Sequence, residues 1–347
     1  MTLSNETHWT VDTEAAEFER MIRIIVPVFF GVICFLGFFG NLLVIIVVVF
    51  NQQMRNTTNL LILNLAFADM FFIIICVPFT AATYAMPIWP FGNAWCKIYQ
   101  YMLNVTAYAS VYTLVLMSLD RYLAVVHPIS SMTLRTDINC GILIFLSWAI
   151  ICVANIPILL EYSTYSYVYN NEHRSTCIDL RMIQDISQGK LFYGCFFAFC
   201  YIIPLTLVCI LYGAMLKRLL HGVVPRGCQS GESHRSKRRV TKMVVCVVAM
   251  FAIAWLPFQV IFMIQFFGTY PESNSFVAMK IACTCFAYMN SCINPFLYAF
   301  LSENFRKSFR KILSLSKVHF NRYEMERTQT RGALDPLTRK TCDENGV

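Results

Sequence analysis

Charge is scarce in this chain. Of its 347 residues only 14% are charged, while 57% are hydrophobic. A soluble domain carries about a quarter charged residues, so this chain cannot cover an ordinary globular surface with polar groups. Its length would suit one large soluble domain or two, but the distribution of apolar residues excludes both. Histidine is also sparse: His8, His127, His173, His221, His234 and His319 are all there is. None lies within a long apolar stretch beside a nucleophile or a metal-ligand partner, which argues against an enzyme. No internal repeat and no paired mid-stretch charges are visible, as a secondary transporter would show. No channel filter sequence and no strand-like alternation of a membrane barrel is present. The first 23 residues lack the early apolar core of a secretory signal, so the first apolar stretch is expected to direct insertion.

What is present is seven apolar stretches: residues 24–50, 60–86, 98–126, 142–160, 191–216, 244–267 and 276–300. Each reaches or nearly reaches the roughly 20 residues that cross a bilayer as a helix. One such stretch could be a buried helix of a soluble core, but seven could not. Backbone in lipid must satisfy its own hydrogen bonds, which selects helices. The expected fold is an all-α membrane protein, a seven-transmembrane helix bundle over residues 24–301. A tail (1–23) precedes it. A short amphipathic helix (302–313) and a second tail (314–347) follow.

Basic residues orient the bundle. With the N-terminus outside, Arg20, Arg23, Lys97, Arg174, Arg181, Lys190 and Lys280 fall outside and the other 21 of 28 fall inside. The 20 acids divide evenly. The expectation is a plasma-membrane protein with its N-terminus outside and its C-terminus cytoplasmic. An acidic mouth favours cationic or neutral ligands, and a basic rim suits anionic membrane lipids or an acidic partner, although topology alone accounts for any single base. Asn5-Glu6-Thr7 is a glycosylation sequon on the outer tail.

Polar residues inside spans point to function by default. Asp69 lies deep in the second span, with Ser110, Asn290, Ser291 and Asn294 at similar depth. Two readings stand: oxygen ligands for a small hard cation, or a hydrogen-bonded network with water. The third span runs from Cys96 to Asp120-Arg121-Tyr122. Its 25-residue separation is about 37 Å of helix, which puts Cys96 at the outer edge and Arg121 at the inner one. Arg121 can pair with Asp120 as a breakable latch, or it can simply snorkel. Most of the 15 cysteines lie in spans, where a thiol acts as a small apolar group. Cys96 and Cys177 sit on one outer side, where an oxidising exterior allows a disulfide. Pro78, Pro157, Pro204, Pro257 and Pro295 mark five spans as sites of kinks.

In order and spacing, these features resemble the rhodopsin-like G-protein-coupled receptors. Carrying the resemblance are Gly40-Asn41, Leu65, Asp69, Asp120-Arg121-Tyr122, Trp148, Pro204, Tyr212, Phe251, Trp255-Leu256-Pro257 and Asn294-Pro295-Phe296-Leu297-Tyr298. Trp89-Pro90-Phe91-Gly92 before Cys96 matches the family's first outer loop. The stretches Ala107–Pro128, Ser291–Pro295 and Ala299–Lys307 resemble the galanin-like receptors, and within them the invertebrate allatostatin-A type.

The resemblance implies a mechanism. Ligand near Trp255 would swing the inner half of span six about Pro257. Val111, Pro204 and Phe251 would repack, with Asn294-Pro295 in span seven as part of the same core. Arg121 would leave Asp120 and, with Tyr122, Tyr212 and Tyr298, form a cleft for a heterotrimeric G protein, the inhibitory type favoured. Asp69, Ser110, Asn290, Ser291 and Asn294 would hold a sodium ion in the inactive state; no other cofactor is expected. Arrestin and a receptor kinase would meet the Ser/Thr-bearing tail. No nucleic-acid partner is expected.

Leu103 stands where amine receptors carry an aspartate, so amine ligands lack their ionic anchor. Around it, Phe79, Thr83, Gln100, Asn104, Phe258, Gln259, Phe262 and Thr284 form an aromatic, amide-rich cup. Such a cup suits an extracellular neuropeptide with aromatic side chains and an amidated end, which amides can hydrogen-bond without a counter-ion. Plain packing is the competing reading for each aromatic. Asp179 and Glu272, with Glu161 and Asp185, are expected to meet basic ligand residues further out. A somatostatin- or opioid-like peptide receptor is the second reading, and a membrane transporter the distant third.

Overall fold

The computed structural model describes residues 3–54, 56–169, 171–221, 231–268, 273–303 and 305–311, and of 3–13, 53, 219–221 and 231–239 the backbone alone. Glu272, the Asn5 side chain and the tail's Ser and Thr residues lie outside what is described.

Seven helices among the described residues are long and apolar enough to cross a bilayer. They are Glu14–Phe50, Thr57–Ala85, Gly92–Val126, Asp137–Glu161, Ile186–Arg218, Val240–Phe267 and Asn274–Leu301, called spans one to seven. Span three touches spans two, four, five and six, while span one packs on two and seven. Side chains that a soluble protein would bury point outward here, including Val32, Phe35 and Phe39 of span one and Phe145 and Ile150 of span four. A helix facing hydrocarbon loses nothing by exposing them.

Prolines shape the helices locally. Pro78 cannot donate to the ladder, and just before it Val77 N–H reaches back five residues to Phe72 O. The same widened turn precedes Pro204, where Ile203 N–H reaches Ala198 O. Such bulges reaim the helix beyond them. Pro257 and Pro295 sit inside continuous helices, and so does Pro27 of span one. Spans one and seven approach closely: a Cβ added at Gly40 would come within 3.1 Å of the Pro295 ring.

Two features depart from the sequence reading. Helix begins well before the apolar stretch, running unbroken from Leu3 to Phe50. The connection between spans four and five is a hairpin of β1 (Tyr162–Tyr169) and β2 (Glu172–Asp179), with Thr164 opposite Cys177. Its Tyr, Thr and Val residues favour the pleated form. The all-α expectation therefore holds for the bundle and not for this loop. Ser175 N–H bonds Pro87 O at 3.1 Å and Trp89 N–H bonds Ser175 O at 3.0 Å, so the chain before span three joins the hairpin edge. Gly92 then turns into the helix at φ 74°, where only glycine is unstrained.

The described residues from Glu303 onward belong to a second unit. Within it residues 305–311 are helical. Phe305 and Phe309 meet ring to ring at 5.8 Å, and Lys307 pairs with Glu303 at 3.3 Å. That is the amphipathic pattern expected from sequence.

Candidate functional site

Cys96 and Cys177 are joined in a disulfide with a Cα–Cα distance of 5.5 Å. It pins β2 to the start of span three. Beneath it Trp89, Tyr99, Ile158 and Tyr162 form a buried cluster against which Phe79 and Leu103 pack. Phe79 lies 4.9 Å from the Phe91 ring and 5.0 Å from Trp95. Both residues thus pack beneath the hairpin while staying partly exposed.

Spans five and six carry a continuous aromatic run. Trp255 contacts Phe258 at 5.5 Å, and Phe258 contacts Phe262 at 4.4 Å. Tyr193 stacks on Phe262 at 5.4 Å and on Phe266 at 3.9 Å. Lys280 Nζ sits 5.3 Å over the Phe262 ring, a cation–π contact. Sequence reading had placed no cation in the cup. Gln259, one turn from Trp255, is 1% exposed, and neither its amide nitrogen nor its oxygen has a partner among the described residues. The Trp255 indole N–H is also buried without one. Of the other expected cup residues, Asn104 donates to Gln100 O at 3.0 Å, and Thr83 and Thr284 bond back to their own helices.

Asp179 corrects an expectation. It is 2% exposed and accepts from Arg181 Nε and Nη2, both at 2.8 Å. Burial acts against the guanidinium charge, but the Asp179 hydrogen bonds and charge outweigh it and hold the Arg181 pKa up. Arg181 also lies 3.7 Å over the Phe192 ring. Asp179 is thereby committed to the protein and cannot greet a basic ligand residue. Asp185 caps span five by accepting from Ser187 and Gln188 N–H and stays partly exposed.

Midway along the bundle, Asp69 is wholly buried. It accepts from Asn294 Nδ2 at 2.8 Å and Ser110 Oγ at 3.4 Å, and Ser291 approaches it as well. The carbonyl oxygens of Asn41, Asn290 and Asn294 are buried without a protein partner. A carboxylate, hydroxyls and unsatisfied amide oxygens make a hard oxygen set that fits an alkali cation. Among the described residues no three His, Cys, Asp or Glu gather as a metal cluster. Between this level and the cup, Phe251 lies 5.7 Å from Trp255 and, like Val111 and Pro204, is buried. Tyr201 Oη donates to Ala252 O at 2.9 Å, tying span five to span six at this layer.

At the far end Asp120 and Arg121 form a buried ion pair, with Arg121 Nε 3.0 Å from Asp120 Oδ2. Asp120 holds more than the sequence suggested. Thr57 and Thr58 donate to it at 3.0 and 2.8 Å, and Arg135 Nε donates at 2.7 Å. Arg121 also contacts Thr58. Tyr122 turns aside, its hydroxyl 3.2 Å from His127 Nε2. Tyr212 Oη is buried without a partner, and Tyr298 is wholly buried. Nothing local marked Arg135, one base among many on the basic side.

Residues 40–298 match the family model of the 7 transmembrane receptor (rhodopsin family). The chain belongs to that family. This receptor is 48% identical over 308 residues to the allatostatin-A receptor of Bombyx mori, covering 88% of this chain and 84% of that one. It is 39% identical to a galanin-like G-protein coupled receptor of Caenorhabditis elegans, over 87% of this chain and 76% of the other. With the Mus musculus galanin receptor type 2 it shares 38% over 83% and 76%. The receptor is a multi-pass membrane protein whose partner is a G protein, and it signals rather than catalyses.

Proposed function

We propose that this receptor recognises a C-terminally amidated neuropeptide of the allatostatin-A or galanin-like kind and activates a heterotrimeric G protein, the inhibitory type first. The relatives' names favour that ligand class. The observation that carries it to a chemistry is Gln259, whose buried amide has both polar atoms unmatched beside the aromatic run from Trp255 to Phe262. A buried amide left unpaired costs about 1–3 kcal/mol, and a peptide's terminal amide offers both a donor and an acceptor to match it. Aromatic ligand side chains would pack on Phe258, Phe262 and Tyr193.

The Cys96 end faces outward in this reading, because a disulfide needs an oxidising compartment and the basic residues crowd the other end. Agonist would favour a state in which span six pivots at Pro257 and Arg121 leaves Asp120; only differential affinity for that state shifts the balance. Asp69, Ser110, Asn290, Ser291 and Asn294 would hold sodium in the closed state. The ion would supply the positive charge that Asp69 otherwise lacks. Arrestin and a receptor kinase would engage the C-terminal tail, where phosphate adds negative charge.

The test is a screen of amidated neuropeptides, those ending Phe-Gly-Leu-amide included, against the full receptor with a nucleotide-exchange readout. Nanomolar activation lost on replacing the amide by a free acid is the expected result. Silence to every peptide, with uptake of a solute instead, would overturn the reading.

A further inference from the structure

A second cavity lies away from the Trp255 run. It encloses about 170 Å³ between the outer turns of spans one and two and the hairpin, lined by Glu19, Arg23, Thr83, Tyr167, Arg174 and Thr176 among others. Of the cup residues expected from sequence it includes Thr83 alone.

Its chemistry is unusual for a cavity wall. Two guanidinium groups share one carboxylate. Arg174 Nη1 and Nη2 reach Glu19 Oε1 and Oε2 at 2.5 and 3.4 Å, and Arg23 Nη2 takes the same Oε1 at 2.8 Å. Glu172 adds one bond to Arg174 Nη2 at 3.1 Å but is mostly exposed. Arg174 Nε is buried with no partner. The hydrogen bonds to Glu19 raise the Arg174 pKa, so the charge is permanent. The Tyr169 ring, 4.6 Å below, holds the guanidinium plane in place. A planar guanidinium matches a carboxylate with two parallel bonds. Here Glu19 occupies that position from within the chain, reaching across 155 residues of sequence.

We propose that this cavity is a second ligand subsite that receives a carboxylate side chain of the peptide on Arg174 and Arg23, displacing Glu19. It rests on the peptide-receptor reading and adds to it where the upstream part of the ligand goes. The unmatched Arg174 Nε and the second, half-shared arginine leave donors for an incoming acid. The cavity's volume takes one side chain, not a folded segment. A basic ligand residue would find both carboxylates, Glu19 and Glu172, already held by the arginines and would gain no partner there.

The experiment uses the full receptor in cell membranes. The probes are peptides ending Phe-Gly-Leu-amide that carry a single glutamate, glutamine or lysine moved through the upstream positions. At one position wild type should favour glutamate over glutamine by about tenfold in potency, as a charge-assisted bond lost would give, and should disfavour lysine. Arg174→Gln should erase that preference, so that the glutamate and glutamine peptides become equipotent on the variant. Should Arg174→Gln not reach the surface, Arg23→Gln, on a partly exposed side chain, gives the same comparison. Glu19→Gln should strengthen the glutamate peptide, because the resident competitor is weakened; a purely structural clasp predicts loss for every peptide. Activation without any charge preference, or a preference that survives both arginine variants, overturns the subsite alone. Silence of wild type to the whole set overturns the peptide reading and the subsite with it.

Discussion

Arg135 Nε donates to Asp120 Oδ1 at 2.7 Å, so the carboxylate of the switch pair has two arginine partners rather than one. When Arg121 swings out, Asp120 keeps a cation. A buried carboxylate stripped of every cation would cost several kcal/mol, and that cost would weigh against the active state. Arg135→Ala should therefore bind Asp120 more firmly to Arg121 and lower agonist efficacy. Asp120→Asn should do the reverse, raising agonist-independent exchange about tenfold for a shift of about 1.4 kcal/mol. Nucleotide exchange with purified G protein checks both; the same sign for the two variants would rule out the shared-carboxylate account.

Arg121→Ala should abolish exchange while surface expression and peptide affinity persist. Its guanidinium is buried at the end far from Cys96, against Asp120 and Thr58. Unchanged signalling would contradict the latch.

The Asp179–Arg181 pair should behave as structure. Removing one partner leaves a buried charge unmatched, at about 3–5 kcal/mol. Asp179→Ala should lower the melting temperature of the purified receptor, and the double variant Asp179→Leu/Arg181→Met should recover most of it. Loss of affinity for basic peptides at unchanged stability would restore Asp179 as a ligand contact.

Cys96→Ser should release the hairpin. A bridge over 81 residues of separation stabilises by about 2–4 kcal/mol, and ligand affinity should fall as β2 loses its anchor. Binding of labelled peptide, with Cys177→Ser expected to match it, is the measurement.

Sodium binding at Asp69 predicts that raising NaCl lowers agonist affinity while equal N-methylglucamine chloride does not. Asp69→Asn should remove the difference. Identical salt curves for wild type and variant would leave the polar core as a hydrogen-bond network.

Hydropathy made the seven spans legible, because each is a local run whose length answers the bilayer thickness. Helical spacing was enough to put Cys96 and Arg121 at opposite ends of span three. The disulfide could be read as well, since oxidation and side restrict the choice. That Phe79 and Leu103 pack on the cluster beneath the hairpin was not legible, because a span has two inner-facing edges and sequence does not say which meets the hairpin.

By itself the sequence determined the membrane class and the number of spans, and set Cys96 and Arg121 at opposite ends of span three, since hydrophobic runs and helical period are properties of neighbouring residues. Only the tertiary structure decided that Asp120 holds Arg135, that Asp179 is committed to Arg181, and that Glu19 lies on Arg174. Those choices belong to charges brought within a few ångströms by the bundle and hairpin, where burial makes pairing obligatory and leaves composition silent about the partner.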